Sequence, residues 1–568
     1  MSTSKYFDRI CVIVTIIALV ITTLFMFGEK LGIQKIVDED SEGYEALSGF
    51  TNNDMNSGWD DAEATLITLG GDSAEISGDG AYWNDGNIVI ANAGKYVVSG
   101  SLSDGSIVVD AYDSSKVFIK LAGVSVYCSD DAAFRVDQAD KVFLTLANGT
   151  DNSFESGSEY SENALADNTG GTVFSHDDLT INGDGSLTIT ASYKHGIDCN
   201  DKLVIAGGNI TVTAPQDGLH ANDGINITDT TLTVNAADDG INGGESVLIA
   251  GGSINISGCY EGIEAVTVEI NDGNLSIECT DDGINANGGS GGFGGMGGMG
   301  GMGGMGGMGG NFEGEMRHNP KGDFEPGTEP PEGMQIPEDM QMPEDMQMPE
   351  DMQMPEDMRM PEDMQMPEDT QESGSDSSAR KMGQKRPGQE NMNMNTASES
   401  GSDTGDEEET WIHINGGNIT ILNSSGRDSD GLDSNGDIII TGGNILISLT
   451  GSGGNNAIDY GSESGGVCEI SGGTLIACGG SSMAEAISST STQGSVLYMF
   501  GDEATGGSPV TVSDADGNIL LEWTVPNSYT AVTVSCPEMT VGGNYTITTA
   551  NSSETITLDE ISASIISH

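Results

Sequence analysis

Short segments in which apolar and polar residues alternate recur along much of the chain with a nearly constant period. In one repeat, Leu203-Val204-Ile205 is followed by Asn209-Ile210-Thr211-Val212, with a Gly-Gly turn between them. Alternation with a period of two is typical of β-strands that bury one face. Such short strands bury little alone, whereas stacked repeats share a continuous core. The pattern predicts an all-β fold, a right-handed parallel β-helix of about 22 residues per coil. The right hand is expected by analogy with crossover connections between parallel strands, nearly all of which are right-handed.

A glycine followed by isoleucine or leucine marks the same place in each repeat. The glycines at 196, 218, 240, 262 and 283 are 22, 22, 22 and 21 residues apart, and the pattern resumes at Gly431. Glycine suits a corner with positive φ, and the apolar residue after it is expected to point inward. Polar residues flank this corner. Before the glycine stand His195, Asp217, Asp239, Glu261, Asp282 and Asp430, and two places after it stand Asp198, His220, Asn242, Glu264, Asn285 and Asp433.

The same patterns divide the chain into six segments. We expect a membrane anchor (1–36), a linker (37–76), the first part of the β-helix (77–286), a disordered insertion rich in Gly, Met, Pro and acidic residues (287–410), the second part of the β-helix (411–494) and a C-terminal β cap (495–568). The insertion contains Gly-Gly-Met runs and a repeated Met-Pro-Glu-Asp-Met-Gln hexapeptide, a composition that disfavours a packed core. Copper binding by its methionine thioethers is an alternative role.

The anchor is predicted from residues 10–27, an uncharged run of 18 residues that approaches the length of a transmembrane helix. Lys5 and Arg9 precede it, so the positive-inside rule places the N-terminus in the cytoplasm and the β-helix outside. The protein is therefore expected in the cell membrane with a single pass. A cleavable signal peptide is the alternative.

The chain is strongly acidic, with a formal net charge of −70. This charge argues against a nucleic-acid partner, since phosphate binding needs a basic face, and an anionic partner would need a bridging cation. Seven of the eight cysteines follow the anchor, and their spacing matches neither a zinc motif nor a complete set of disulfides. We expect these cysteines to be small buried apolar residues.

Calcium is the predicted cofactor, because a ladder of carboxylate and amide oxygens offers the ligands that this ion prefers and relieves the repulsion between stacked acids. The predicted ligands are Asp198, Asp217, Asp239, Asn242, Glu261, Glu264, Asp282, Asn285, Asp430 and Asp433. The alternative is structural, since Asp-Gly and Asn-Gly are favoured at corners whatever the function. Tyr193, Tyr260, His195 and His220 are the predicted carbohydrate contacts. Strand packing is the alternative for the two tyrosines.

Several ordered stretches resemble a known family, the calcium-binding, carbohydrate-binding β-helix domain of cellulolytic clostridia, which is built like polysaccharide lyases. They are residues 94–102 (GKYVVSGSL), 104–110 (DGSIVVD), the Asp-Gly-Ile-Asn coils, 529–537 (YTAVTVSCP) and 542–546 (GGNYT). The resemblance covers about residues 77–549 apart from the insertion. It implies a polysaccharide partner, of cellulose or pectin type, and calcium in the fold. Individual calcium ligands do not transfer from it.

We expect a non-catalytic, monomeric binding protein. A calcium-dependent pectate lyase, the first alternative, would need a basic residue to remove a proton, and Arg427 is the best candidate, followed by Lys194 and Lys202. The acidic pairs at 238–239 and 281–282 resemble a hydrolase dyad only superficially, because they follow the structural period. A structural surface or adhesion protein is the second alternative.

Overall fold

The computed structural model describes residues 47–287, 409–424, 429–451 and 454–567. All of these described residues belong to one compact unit. The predicted anchor and the predicted insertion between Gly288 and Glu408 lie outside the described residues, as does Arg427. Among the described ranges, no helix has both the length and the apolar character needed to cross a membrane.

The described chain is nearly all β. Its two α-helices are α1 (Asn52–Met55) and α2 (Glu162–Ala166), and a 3₁₀ turn spans Ser462–Ser464. The strands up to residue 214 are β1 (Thr65–Gly71), β2 (Ala74–Ser77), β3 (Ala81–Asn84), β4 (Asn87–Ile90), β5 (Gly94–Leu102), β6 (Ile107–Asp110), β7 (Lys116–Cys128), β8 (Phe134–Gln138), β9 (Lys141–Leu146), β10 (Asp151–Ser156), β11 (Gly171–Ser175), β12 (Asp178–Thr190), β13 (His195–Cys199) and β14 (Lys202–Ala214).

The remaining strands continue the series on both sides of the undescribed segment. They are β15 (Leu219–Ala221), β16 (Gly224–Thr228), β17 (Thr231–Ala236), β18 (Ile241–Ile249), β19 (Ser253–Cys259), β20 (Ile263–Ile270), β21 (Asn274–Cys279), β22 (Ile284–Ala286), β23 (Trp411–Ile414), β24 (Asn418–Asn423), β25 (Leu432–Ser434), β26 (Asp437–Ile440), β27 (Asn444–Leu449), β28 (Ile458–Tyr460), β29 (Cys468–Ile470), β30 (Thr474–Gly479), β31 (Ser495–Ala504), β32 (Ser508–Asp514), β33 (Ile519–Val525), β34 (Tyr529–Ser535), β35 (Asn544–Thr548), β36 (Ser553–Thr557) and β37 (Ser562–Ser567).

Strands of successive repeats pair in parallel, and each residue pairs with the residue at the equivalent position of the next repeat. In one column the order is β14, β17, β19, β21, β24, β27 and β30, and in the column at the repeated glycine it is β13, β15, β18, β20, β22, β25 and β28. Ile210 pairs with Leu232, and Leu232 with Ile254, all three buried. The same parallel pairing extends upstream, for example from β4 through β6 and β8 to β11. Undescribed residues 288–408 do not interrupt the register, since β20 pairs with β23 and β22 with β25.

One continuous apolar cluster fills the interior of this stack. The expectation for the residue after each repeated glycine is confirmed: Ile197, Leu219, Ile241, Ile263, Ile284 and Leu432 are all fully buried. The seven cysteines from Cys128 to Cys536 are also buried and free, as expected. Burial raises the pKa of several of these thiols, for example that of Cys259 to about 12.

The expectation of a positive φ at the repeated glycine was wrong. None of these glycines has a positive φ. A Cβ atom at Gly240 would instead overlap the side chain of Ile256 and lie 2.6 Å from the carbonyl oxygen of Gly262 in the next repeat. The sequence keeps glycine at this corner because the neighbouring repeat approaches too closely for any side chain.

The described part of the expected linker carries α1, β1 and β2. Asp54 of α1 is buried, lies 3.0 Å from the ammonium of Lys141, and accepts a hydrogen bond from Thr180. Trp59 lies beneath Lys120 and donates a hydrogen bond to Thr145. Asp54 and Trp59 thus attach this segment to strands that are distant in the chain, since Trp59 is 86 residues from Thr145 and Asp54 is 126 residues from Thr180.

The end of the stack is covered by antiparallel strands. The last parallel strand, β30, pairs with β34, and β34 pairs in turn with β31. A separate antiparallel sheet of β33, β32, β35 and β36 contributes to a second apolar cluster there. This arrangement leaves no open edge on β30, an edge that would otherwise invite pairing with another chain.

Candidate functional site: the two polar columns

Backbone hydrogen bonds set the spacing of the residues before the repeated glycine, which we call the first column. The amide of Gly196 donates to the carbonyl of Asp217 at 3.0 Å, and that of Gly218 donates to the carbonyl of Asp239 at 2.9 Å. Glu261, Asp282 and Asp430 accept the equivalent bonds in later repeats. Each residue of this column therefore lies one inter-strand spacing, about 4.8 Å, from the next.

The second column consists of the residues two places after the glycine. They are paired in register in the order Asp198, His220, Asn242, Glu264, Asn285 and Asp433, and Asp459 extends the series by one repeat. The constant spacing in the sequence is the reason for this alignment, since residues of equal position in a repeat share a strand register. All predicted metal-ligating residues lie in these two columns.

The side chains of the columns converge on one another. Five overlapping groups, each with its candidate ligand atoms within 4.8 Å of one another, follow the edge: His195, Asp217 and His220; Asp217, Asp238 and Asp239; Asp239, Glu261 and Glu264; Glu261, Asp281 and Asp282; and Asp282, Asp430 and Asp433. Asp238 and Asp281 were not among the predicted ligands. Their signal in the sequence is the doubled aspartate before the glycine, which resembles a catalytic dyad but also places a second carboxylate at the corner.

Burial and mutual repulsion disfavour ionisation in the middle of the columns. Burial, together with the neighbouring carboxylates of Asp217 and Glu264, raises the pKa of Asp239 to about 9. Burial and Glu264 raise the pKa of Glu261 to about 8. In the described part of the chain, no lysine or arginine forms an ion pair with either side chain. The charge that these carboxylates would carry at neutral pH lacks a fixed counter-charge.

Further along, the same causes act on the last group. Burial and the carboxylate of Asp433 raise the pKa of Asp282 to about 9. Burial and Asp459 raise the pKa of Asp433 to about 6. Each repeat from Asp239 to Asp433 therefore presents at least one carboxyl group that a cation would stabilise in its ionised form.

Amide groups alternate with the carboxylates of the second column. Asn285 donates to Glu261 at 3.0 Å, and Asn287 donates to Glu264 at 2.8 Å. Asn285 is only 6% exposed, and its Oδ1 atom has no hydrogen-bond partner among the described residues. A buried amide oxygen without a donor is costly, so this atom fits a cation ligand.

Some first-column carboxylates also act structurally. Asp282 accepts a hydrogen bond from the backbone amide of Asp430 at 2.7 Å, and Asp430 accepts one from Asn456 at 2.7 Å. Asp217 accepts a longer bond, 3.3 Å, from the amide of Asp239. The same carboxylates therefore accept backbone hydrogen bonds at the corner and are candidate metal ligands. The two roles are compatible, because each carboxylate has several lone pairs.

The first group differs from the others because it contains two imidazoles. The Nδ1 atoms of His195 and His220 each lie 3.0 Å from Oδ2 of Asp217, and the two rings are stacked with centroids 4.7 Å apart. The histidines hold the pKa of Asp217 well below its usual range, although burial alone would raise it. The two histidines predicted as carbohydrate contacts therefore lie beside a buried aspartate.

The two predicted tyrosines lie at the same edge but in different positions. Tyr260 is 38% exposed, and the neighbouring carboxylate of Asp281 raises the pKa of its hydroxyl. Tyr193 is half-buried and packs on Tyr160 with ring centroids 4.4 Å apart. Three repeats separate the tyrosines, so they form no continuous aromatic row. Tyr260 is the more accessible of the two.

Residues 84–288 match the family model described as carbohydrate-binding domain-containing protein. A protein of that description from Acetivibrio thermocellus is 35% identical over 137 residues, which cover 24% of this chain and 48% of the relative. The chain thus matches about half the length of that relative. A solved structure, the gadolinium derivative of the polysaccharide lyase-like protein from C. thermocellum, is 29% identical over 38% of this chain and 91% of its own, with a TM-score of 0.36.

Proposed function

We propose that this chain is a non-catalytic polysaccharide-binding protein of the cell surface, wound as a right-handed parallel β-helix and anchored by residues 10–27. Its acidic columns hold calcium between neighbouring repeats, and the polysaccharide binds along the same edge. The carbohydrate part of the proposal is supported by the family match over residues 84–288. The observation that carries the site is the unbroken series of converging carboxylates from Asp239 to Asp433.

Bound calcium accounts for this series of carboxylates better than protonation of the carboxylates alone. It takes six to eight oxygen ligands at about 2.3–2.6 Å, and each group offers carboxylates from two adjacent repeats. The Oδ1 atom of Asn285, which has no hydrogen-bond partner among the described residues, adds a neutral oxygen between Glu264 and Asp433. A bound ion would supply the counter-charge that lysine and arginine do not supply to Asp239 and Glu261 among the described residues.

The columns also suggest how an acidic glycan would bind. A chain with a formal charge of −70 repels a polyuronate, so contact with one requires bridging cations. Glu261 and Glu264 are only partly buried, which leaves a calcium ion between them open on the solvent side. Carboxylates of a pectic polysaccharide would complete its coordination, and the exposed ring of Tyr260 would contact a sugar face.

The test is retention of the full-length chain on insoluble polygalacturonate and on cellulose, with calcium or with a chelator. We expect retention on polygalacturonate in calcium only, with loss in the double variant Glu261→Gln/Glu264→Gln. Glu278→Gln is the matched control, since Glu278 is exposed on the neighbouring strand β21 and belongs to none of the five groups. Retention that survives both the chelator and the double variant would refute calcium bridging.

The same incubation tests the lyase alternative. An enzyme of that type would release unsaturated uronides from polygalacturonate in the presence of calcium. We expect no such product over the time in which binding reaches equilibrium. Unsaturated product that disappears in Arg427→Ala would replace the binding proposal with catalysis.

A further inference from the structure

The N-terminal end of the polar columns has a different donor chemistry from the rest. His195, Asp217 and His220 supply two imidazole nitrogens and one carboxylate oxygen, whereas the other four groups supply carboxylate oxygens alone. Imidazole is a preferred ligand of zinc and related transition metals, and calcium prefers oxygen. One edge of the stack therefore carries two chemically distinct kinds of candidate metal site.

The geometry of the three side chains is that of convergent ligands. Both Nδ1 atoms lie 3.0 Å from the same carboxylate oxygen of Asp217. Two ligand atoms that each lie about 2.0–2.1 Å from a zinc ion at a tetrahedral angle would be roughly 3.3 Å apart, so these two separations need only a small adjustment. All three candidate ligand atoms lie within 4.8 Å of one another. Asp217 is 4% exposed, and one of its carboxylate oxygens faces the Nδ1 atoms of both rings.

His195 and His220 differ in how they contact Asp217, and the difference lies in the Nδ1 atom of His195. Its Nδ1 atom is buried and has no hydrogen bond among the described residues, although it lies close to Asp217. His220, by contrast, has an aligned hydrogen bond to the same oxygen. Two imidazole nitrogens that face one oxygen of a buried carboxylate form an arrangement that a shared ion would also satisfy.

The surrounding charge also suits a divalent ion. Asp198 is adjacent to His220 in strand register and is 8% exposed. Asp217 and Asp198 together would balance the two positive charges of a metal ion bound by neutral imidazoles.

We propose that His195, Asp217 and His220 form a transition-metal site for Zn²⁺ or a similar ion, separate from the calcium sites of the later repeats. Water completes the coordination shell, as is common where a protein supplies three ligands. The site ties two consecutive repeats together, because His195 belongs to one and Asp217 and His220 to the next. It does not depend on the proposed glycan.

The experiment is a titration of the metal-stripped full-length chain with Co²⁺, a spectroscopic substitute for Zn²⁺, in excess calcium that saturates the proposed calcium sites from Asp239 to Asp433. We expect one equivalent of Co²⁺ to give a visible absorption band of low-coordinate cobalt, and Zn²⁺ to remove it. Methionine thioethers of the undescribed segment prefer softer ions such as Cu(I), so they do not reproduce this signal.

The decisive variants are His195→Asn and His220→Asn. Asparagine keeps a hydrogen-bond donor near the Nδ1 position, so a purely structural contact with Asp217 would survive, whereas the imidazole ligand is lost. Each variant should weaken Co²⁺ binding by at least roughly tenfold. His413→Asn is the matched control, because His413 stacks on Trp411 and belongs to none of the candidate groups.

Circular dichroism and the melting temperature in calcium establish that each variant is folded before its titration is interpreted. The proposal is wrong when the parent chain gives no visible Co²⁺ band in excess calcium. It is equally wrong when the band persists unchanged in the double variant His195→Asn/His220→Asn. Because no polysaccharide is present, either result leaves the glycan-binding proposal to its own test.

Discussion

Asn242 donates a hydrogen bond to the carboxylate of Glu264, which lies at the equivalent position of the next repeat, at 2.8 Å. The same amide nitrogen also donates, at 2.8 Å, to Asp239 of the first column. One neutral side chain thus links carboxylates from both columns and from two repeats. Asn285 occupies the equivalent place on the far side of Glu264, so amides separate the acids of the second column.

The first prediction concerns Asn242→Asp. The substitution removes two hydrogen bonds and places a third carboxylate beside Asp239 and Glu264. In a chelator we expect the free energy of unfolding to fall by roughly 1–3 kcal/mol, the usual cost of leaving buried polar partners unsatisfied. Saturating calcium should recover most of this loss, since the new carboxylate is a further ligand.

Asn255→Asp is the control for this prediction. Asn255 is exposed in the middle of β19 and belongs to neither column, so the same change of charge should shift the free energy of unfolding by less than about 0.5 kcal/mol. Urea unfolding of both variants, with and without calcium, provides the comparison. Equal losses at the two positions would mean that net charge alone is responsible.

The second prediction links pH to calcium. The pKa of Asp239 is raised from 3.8 to about 9, and that of Glu261 from 4.5 to about 8. Between the ordinary and the raised pKa values, the folded metal-free chain keeps protons on these two carboxyl groups that the unfolded chain has released. The free energy of unfolding in a chelator should therefore decrease as the pH rises through this window. Calcium replaces these protons, so it should raise the melting temperature more at pH 8 than at pH 5.

Calorimetry at several pH values, with calcium or chelator, measures this linkage. The variant Asp239→Asn/Glu261→Gln separates the local effect from the general repulsion of a highly acidic chain, because it removes the two titrating groups and changes the formal charge by only 2 of 70. Its melting temperature in chelator should depend less on pH. A calcium increment that is the same at pH 5 and pH 8 would contradict a ligand role for these carboxylates.

The third prediction tests the close approach of repeats at the corner. In Gly240→Ala the new methyl group would overlap Ile256 and the carbonyl of Gly262, so the repeats must separate locally. We expect a loss of about 1–3 kcal/mol, typical of overpacking. Gly501→Ala is the control, since a Cβ there meets no atom within 4 Å, and it should unfold at the same denaturant concentration as the parent chain.

Position in the repeat determines how much of the site could be predicted from sequence. Ile241 and the column from Asp198 to Asp433 follow from constant spacing, because equal positions in a parallel stack share a register. The role of Asp238 as a candidate ligand could not be predicted in this way, since the direction of its side chain depends on the shape of the corner. The contact between Thr180 and Asp54 had no periodic signal at all, because 126 residues separate the partners.

The last prediction concerns that long-range contact. Asp54 is 1% exposed and pairs with Lys141, which is itself 9% exposed. Burial alone would raise the pKa of Asp54, but Lys141 and Thr180 hold it below its ordinary value. In Asp54→Ala the ammonium of Lys141 loses this partner inside the protein and retains Asp178 at 3.8 Å. Breaking a buried pair costs about 3–5 kcal/mol, and the remaining partner should place this variant near the lower figure.

The variant Asp72→Ala provides the comparison, because Asp72 is an exposed residue of the same expected linker, residues 37–76. This variant should change the free energy of unfolding by less than about 0.5 kcal/mol. Limited proteolysis adds a local measurement: loss of the contact should expose the chain around α1 to cleavage before the repeats unfold. Replacing both partners, as in Asp54→Leu/Lys141→Met, should recover part of the stability, since an apolar pair leaves no buried charge. A double variant as unstable as Asp54→Ala would show that the ion pair itself holds residues 47–63 against the strands.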